Sequence, residues 1–208
     1  MPTRERLLDA TEALMAEHGT ASVSVRDVLR VAGVANASAI NYYFGGKESL
    51  VAAVGRRAVD HINRERIAGL QALGSAPAAE GLVRAWVEPV ARLRGERPGR
   101  FTAQVFAKIF DEPRERWEHN GAAETLAVTE RFIEATGHLL PSASHPALLF
   151  RWQSITAIVS WYIEGYLDVF AEPSLDQIDA DVDAMVAQGV AVLDVALTRP
   201  GLRREDPA

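Results

Sequence analysis

The chain has 208 residues, no cysteine, a formal net charge of −6, 48% apolar residues and 24% charged ones. That length is ample to bury a core, and the missing cysteines exclude a disulfide scaffold, thiolate-held zinc, iron–sulfur clusters and thiol catalysis. The longest apolar run, residues 155–163, holds Thr156 and Ser160 between Arg151 and Glu164; it falls short of the ~20 residues that span a bilayer, so no membrane partner is expected and the predicted location is cytoplasmic.

No proline occurs between Thr3 and Ala76, and the apolar residues recur three and four apart, which predicts an all-α chain. A first helix is expected from Arg4 to His18, burying Leu7, Leu8, Thr11, Leu14 and Met15, with Gly19 as its stop. Ser24 caps a short second helix, Asp27 reaches back as in a capping box, and Val25, Val28 and Leu29 face inward. Ala32-Gly33-Val34 makes a tight turn, after which a third helix begins near Asn36 or Ser38 and runs to Tyr43. Gly45-Gly46 breaks the chain, and Lys47 opens a long fourth helix. Two short helices joined by a glycine turn and braced by a longer one describe a helix-turn-helix, whose second helix enters a major groove.

Charge is unevenly spread, with a net +1 on residues 1–66 and −7 on residues 67–208, so the overall sign does not exclude a local DNA-binding face. Arg26, in the first turn of the second helix, can contact guanine in bidentate fashion, and Asn41 can pair with adenine. Tyr42 and Tyr43 can meet thymine methyls or donate to phosphate, and Ser38 shares their helix; one tyrosine is also compatible with the core. Phe44 is expected in the core beneath them. Lys47, at a helix start, suits a phosphate, and Thr3 and Arg4 can reach the backbone or minor groove. Arg56, Arg57, Arg64 and Arg66 lie too far along the fourth helix and are expected in salt bridges or on a solvated face.

The ordered set Ser24-Val25-Arg26-Asp27-Val28, Ala32-Gly33-Val34 and Ala39-Ile40-Asn41-Tyr42-Tyr43-Phe44-Gly45-Gly46-Lys47-Glu48-Ser49-Leu50 resembles the amino-terminal signature of the tetracycline-repressor (TetR) family. The resemblance covers roughly residues 4–55. It implies a homodimeric transcription regulator, usually a repressor released from DNA by a small molecule. Residues 1–50 would then be the DNA-binding head, 51–202 a larger helical ligand-binding and dimerisation bundle, and 203–208 a polar tail. The segment from Val34 to Phe44 is one residue longer than the family's commonest form, which leaves open which of Asn36, Ala37 and Ser38 faces the bases. Ser24 and Asn36 complete the expected DNA-facing set. With few basic residues per head, affinity requires two copies about 34 Å apart on a palindromic operator.

In the body, aromatics with polar neighbours are candidates to line an effector pocket: Trp86, Phe106, Phe110, Trp117, Trp152 and Tyr162, with Gln104, Gln153 and Thr156. An apolar or aromatic small molecule suits them, and Pro89 would kink its helix and open space. The last two long helices, roughly 145–171 and 174–199, are expected to form a four-helix dimer interface, with Ala184, Ala187, Gly189 and Ala191 permitting close approach. No catalytic residue, cofactor or metal is expected. His18, His61, His119, His138 and His145 show no ligand spacing, and neither a phosphate-binding glycine loop nor a nucleophile elbow occurs. The alternative is a helical small-molecule-binding or interaction module without DNA binding.

Overall fold

A computed structural model describes residues 1–18, 23–93, 122–167 and 174–194. Among these there are eight helices and no strand: α1 (Thr3–His18), α2 (Val25–Val31), α3 (Ala39–Phe44), α4 (Lys47–Ala72), α5 (Ala79–Arg92), α6 (Ala122–Thr136), α7 (His145–Leu167) and α8 (Leu175–Asp194). None of the described helices is long and apolar enough to cross a membrane. The expected stop at Gly19 and the polar tail fall outside the described residues.

The helices build two apolar clusters. In the head, Leu7, Leu8, Leu14 and Met15 of α1 pack on Val28, Ile40, Leu50 and Val54. Thr11 joins them without loss, because its hydroxyl donates to the Leu7 carbonyl at 2.7 Å. Val25, expected inside, is 38% exposed: α2 is only two turns long, and its inward side is filled by Val28, with Leu29 partly buried against the same core. The body cluster gathers Val59 and Ile62 of α4 with Leu82, Trp86 and Val90 of α5, Phe132 of α6, Trp152 and Ile155 of α7, and Ile178, Val182 and Met185 of α8. One helix, α4, therefore belongs to both cores, its first half to the head and its second half to the body.

Two guanidinium groups on α4 take very different positions. Arg57 reaches α1, where it pairs with Asp9 at 2.6 Å, with Glu12, and with Glu5 at 3.8 Å. Arg66 corrects the expectation of a solvated face: it is fully buried, with its carbon centre 3.6 Å from the centroid of the Trp86 ring and its Nε donating to the Trp86 carbonyl at 2.9 Å. Burial pulls this guanidinium down to about 9, because a charge removed from water loses its hydration. The physical reason for its placement is register. Residues 59, 62 and 66 share one stripe, and Val59 and Ile62 commit that stripe to the core.

Helix α8 packs along α5 and α7. Gly189, expected at the dimer surface, instead faces α5: a Cβ added there would lie 2.5 Å from Val83 Cγ1. Its lack of a side chain serves the chain's own core. Ala184, Ala187 and Ala191 do point outward and are exposed.

Candidate nucleic-acid interface and the body's aromatic cluster

The local chemistry of the head fixes α2 and α3 with few residues. Ser24 caps α2, its Oγ accepting from the Asp27 backbone N–H at 3.1 Å. The same hydroxyl donates to Asp27 Oδ2 at 2.6 Å, so the acid answers the cap through side chains. That hydrogen bond, followed by one from Arg30, holds the Asp27 carboxyl below its usual 3.8. The folded value lies below the unfolded one, so any stability from this pair is present above that range and fades as pH falls through the folded value. Ser24→Ala should therefore move the Asp27 titration back up toward 3.8. Carboxyl carbon shifts measured against pH check this, and an unmoved titration would show that Ser24 is not the cause.

Ahead of α3, Asn36 Oδ1 accepts from the Ser38 backbone N–H at 2.9 Å, an Asx turn that starts the helix. The helix itself begins at Ala39, with Ser38 as N-cap making no side-chain capping bond. Asn36 thus orients the turn with its carboxamide oxygen, and Asn36, Ala37 and Ser38 are all exposed. Ala39 and Ile40 are buried in the head, and the opposite face carries Asn41, Tyr42 and Tyr43. Tyr42 is 81% exposed and Tyr43 41% exposed, so neither is a core residue. Their rings meet edge to face at 4.9 Å. Phe44 is half-buried against the head core, and the Arg4 guanidinium sits 5.4 Å from its ring centroid. That contact brings the start of α1 to the end of α3. Thr3 is half-buried, Arg26 is exposed on α2, and Lys47 is half-buried at the first position of α4.

Of the expected pocket residues, Gln104, Phe106, Phe110 and Trp117 lie outside the described residues. Trp86 and Trp152 come together with Phe132, which the sequence did not single out; the centroid distances are 4.9 Å for Trp86–Phe132, 5.3 Å for Trp86–Trp152 and 5.2 Å for Phe132–Trp152. Both indole N–H groups are satisfied by buried threonines. Trp86 donates to Thr156 Oγ1 at 3.1 Å and Trp152 to Thr136 Oγ1 at 3.1 Å. Each threonine in turn donates to the carbonyl four residues back, at 2.9 Å from Thr156 and 2.7 Å from Thr136. Tyr162 is buried, with its hydroxyl donating to Asp181 at 2.7 Å. Gln153 corrects the expectation: it is exposed, because helical geometry groups it with Phe150, Ala157 and Trp161 on the outer side of α7.

Sequence reasoning missed two further polar residues and misplaced a third. Asn63 is buried on α4, with its Nδ2 donating to Thr125 Oγ1 at 3.3 Å and its Oδ1 buried without a hydrogen-bond partner among the described residues. Arg66 lies three residues on, and Arg6 grips the turn after α2. For Asn63 and Arg66 the available signal was their register with Val59 and Ile62; Arg6 left none.

Residues 7–54 match the family described as bacterial regulatory proteins, tetR family, and residues 84–193 match the tetracyclin repressor-like C-terminal domain. The second match alone spans more than half of the chain, and the chain belongs to the TetR family of DNA-binding transcriptional regulators, which are not enzymes. Solved structures agree in fold. A tetR-family regulatory protein from Rhodococcus RHA1 is 16% identical with a TM-score of 0.67, covering 94% of this chain and 99% of that one. PfmR, a TetR-family regulator from Thermus thermophilus, is 19% identical with a TM-score of 0.58, covering 90% and 97%. The multidrug binding protein EbrR, solved with imidazole, is 19% identical with a TM-score of 0.57, covering 94% and 92%. No curated protein matches the sequence.

Proposed function

We propose that the chain is a homodimeric repressor that reads a palindromic operator with α3 and is released by a small apolar or aromatic molecule bound in its body. The observation that carries the DNA-reading part is the outward face of α3. Tyr42, at 81% exposure, stands beside Tyr43 and Asn41 on a helix whose other face is held by Ala39 and Ile40. Large aromatic surface left in water is costly unless a partner covers it. In this reading Arg26, Ser38 and Lys47 join this face in contacting DNA, with Thr3, Arg4, Ser24 and Asn36 as supporting residues.

For the body, residues 51–202 in this reading, the aromatic cluster of Trp86, Trp152, Thr156 and Tyr162 supplies one wall of an effector site, and EbrR is a relative in fold that carries the name multidrug binding protein. Because α4 is shared by the two cores, a molecule that shifts its second half also shifts the head. Ligand and DNA would then weaken each other by the same factor. The outer sides of α7 and α8 would form the dimer, with the 203–208 tail outside it.

Selection of bound duplexes from a random DNA library, at two salt concentrations, tests the reading. Enrichment of a palindrome with half-sites one or one and a half turns apart supports it; a folded dimer that enriches no sequence overturns it. With the selected duplex in hand, Lys47→Ala should weaken binding to all sequences alike and flatten the salt slope by about one. Arg26→Ala should cost about 1–3 kcal/mol and relax preference at one base position. A Lys47 variant that changes preference, or an Arg26 variant that does not, would reverse those two roles.

A further inference from the structure

Helix α2 ends against a guanidinium from another helix. Arg6 of α1 donates through Nε to the Ala32 carbonyl at 2.9 Å, and through Nη2 to the Ala32 and Gly33 carbonyls, each at 2.5 Å. The turn itself is closed by Gly33 N–H to the Arg30 carbonyl at 3.2 Å and Val34 N–H to the Leu29 carbonyl at 2.9 Å. Gly33 adopts a φ of +62°, and a Cβ there would lie 3.1 Å from Arg6 Nη2. A side chain at position 33 would thus meet both backbone strain and the guanidinium.

The carbonyls at a helix C-terminus carry the negative end of its dipole. A planar fork that binds two of them fixes direction as well as distance, which a single point charge cannot do. Its own base is anchored: α1 is tied to α4 by Arg57 through Asp9, Glu12 and Glu5. The chain leaves this clamped turn and enters α3 at Ala39. Helix α3 also packs directly on α4, so the clamp adds, through α1, a second tie between the start of the reading helix and α4.

We infer that Arg6 is a positioning residue for DNA reading: without touching DNA, it sets the angle of α3 by holding the Ala32–Gly33 turn. The inference rests on the reading of α3 proposed above and adds to it the residue that aims the helix. Arg6→Met keeps the stem and removes the fork. Two measurements follow, on the selected duplex and a scrambled one at equal salt, and on amide hydrogen exchange without DNA.

The variant should bind the selected duplex about 10–100-fold more weakly, while the scrambled duplex changes less than about twofold. Loss of a phosphate-binding cation or of active protein would weaken both alike, so an equal loss on the two duplexes overturns the inference. Exchange at Gly33 and Val34 should speed up at least about tenfold relative to the buried amides of α4. Unchanged exchange at both positions overturns it whatever the DNA shows. A wild-type protein with no preference between duplexes would instead count against the reading of α3, and the exchange arm still decides whether Arg6 holds the turn. Arg6→Lys, which keeps a donor and loses the fork, should fall between the two and carries the test if the methionine variant does not fold.

Discussion

Trp86→Ala should destabilise the protein by about 3–5 kcal/mol, read as a lowered midpoint in urea unfolding. Trp86 is completely buried at the meeting point of four helices. Its ring faces Phe132 and Trp152, its N–H is bonded to Thr156, and Arg66 covers its face. Truncation leaves a cavity bordered by two aromatic rings and a guanidinium, and rigid neighbours cannot collapse to fill it. The cost should reach the upper end of the range, because Arg66 also loses the ring that faces its desolvated charge. Trp86→Phe, which keeps an aromatic face, should cost less than half as much. A loss under about 1 kcal/mol for the alanine variant would show that the three-ring cluster is not the keystone of the body.

Trp161→Glu should have a comparably large effect on assembly with little on the fold of one chain. Trp161 is 74% exposed and Phe150 57% exposed, with Ala157 between them on α7 and Ala184, Ala187 and Ala191 exposed on α8. This is the face proposed above for the dimer. A two-fold axis would bring each tryptophan into the interface, so one substitution acts twice. At hot-spot values of about 2 kcal/mol or more per copy, the dissociation constant should rise by about a thousandfold. Sedimentation at micromolar concentration would then find a monomer, and affinity for a palindromic duplex would fall with it, since one head holds only half the site. A dimer of unchanged stability would place the interface elsewhere.

Much of the head was legible in sequence because its signals are local. Ser24 and Asp27, three residues apart, specify the start of α2, and glycines at 33 and 45 specify turns that other residues enter with strain. The exposed tyrosines follow once Ile40 is assigned to the core. What local reasoning left open was the fine division of labour. It allowed one tyrosine to be buried and put Val25 inside, and it gave no sign that the Asn36 oxygen orients the turn before α3.

The body was legible only in outline, because three-and-four spacing names a buried face without naming what it is buried against. Arg66 illustrates the limit. Nothing in its own chemistry predicts burial, and only the arrival of Trp86 from α5 gives its planar cation a surface to lie on. Gly189 reads as a residue for close approach, and it is one, but to Val83 of the same chain. Gln153 sits next to Trp152 in sequence and on the other side of α7 in space. Residue order was enough to specify an all-helical chain, a helix-turn-helix head and the family to which it belongs, since periodicity, caps and glycine turns act over a few residues. Which polar groups are enclosed, which helix faces stay open, and how Arg6 and Arg57 link α1 to the turn and to α4 emerged only on folding, because each depends on residues distant in sequence.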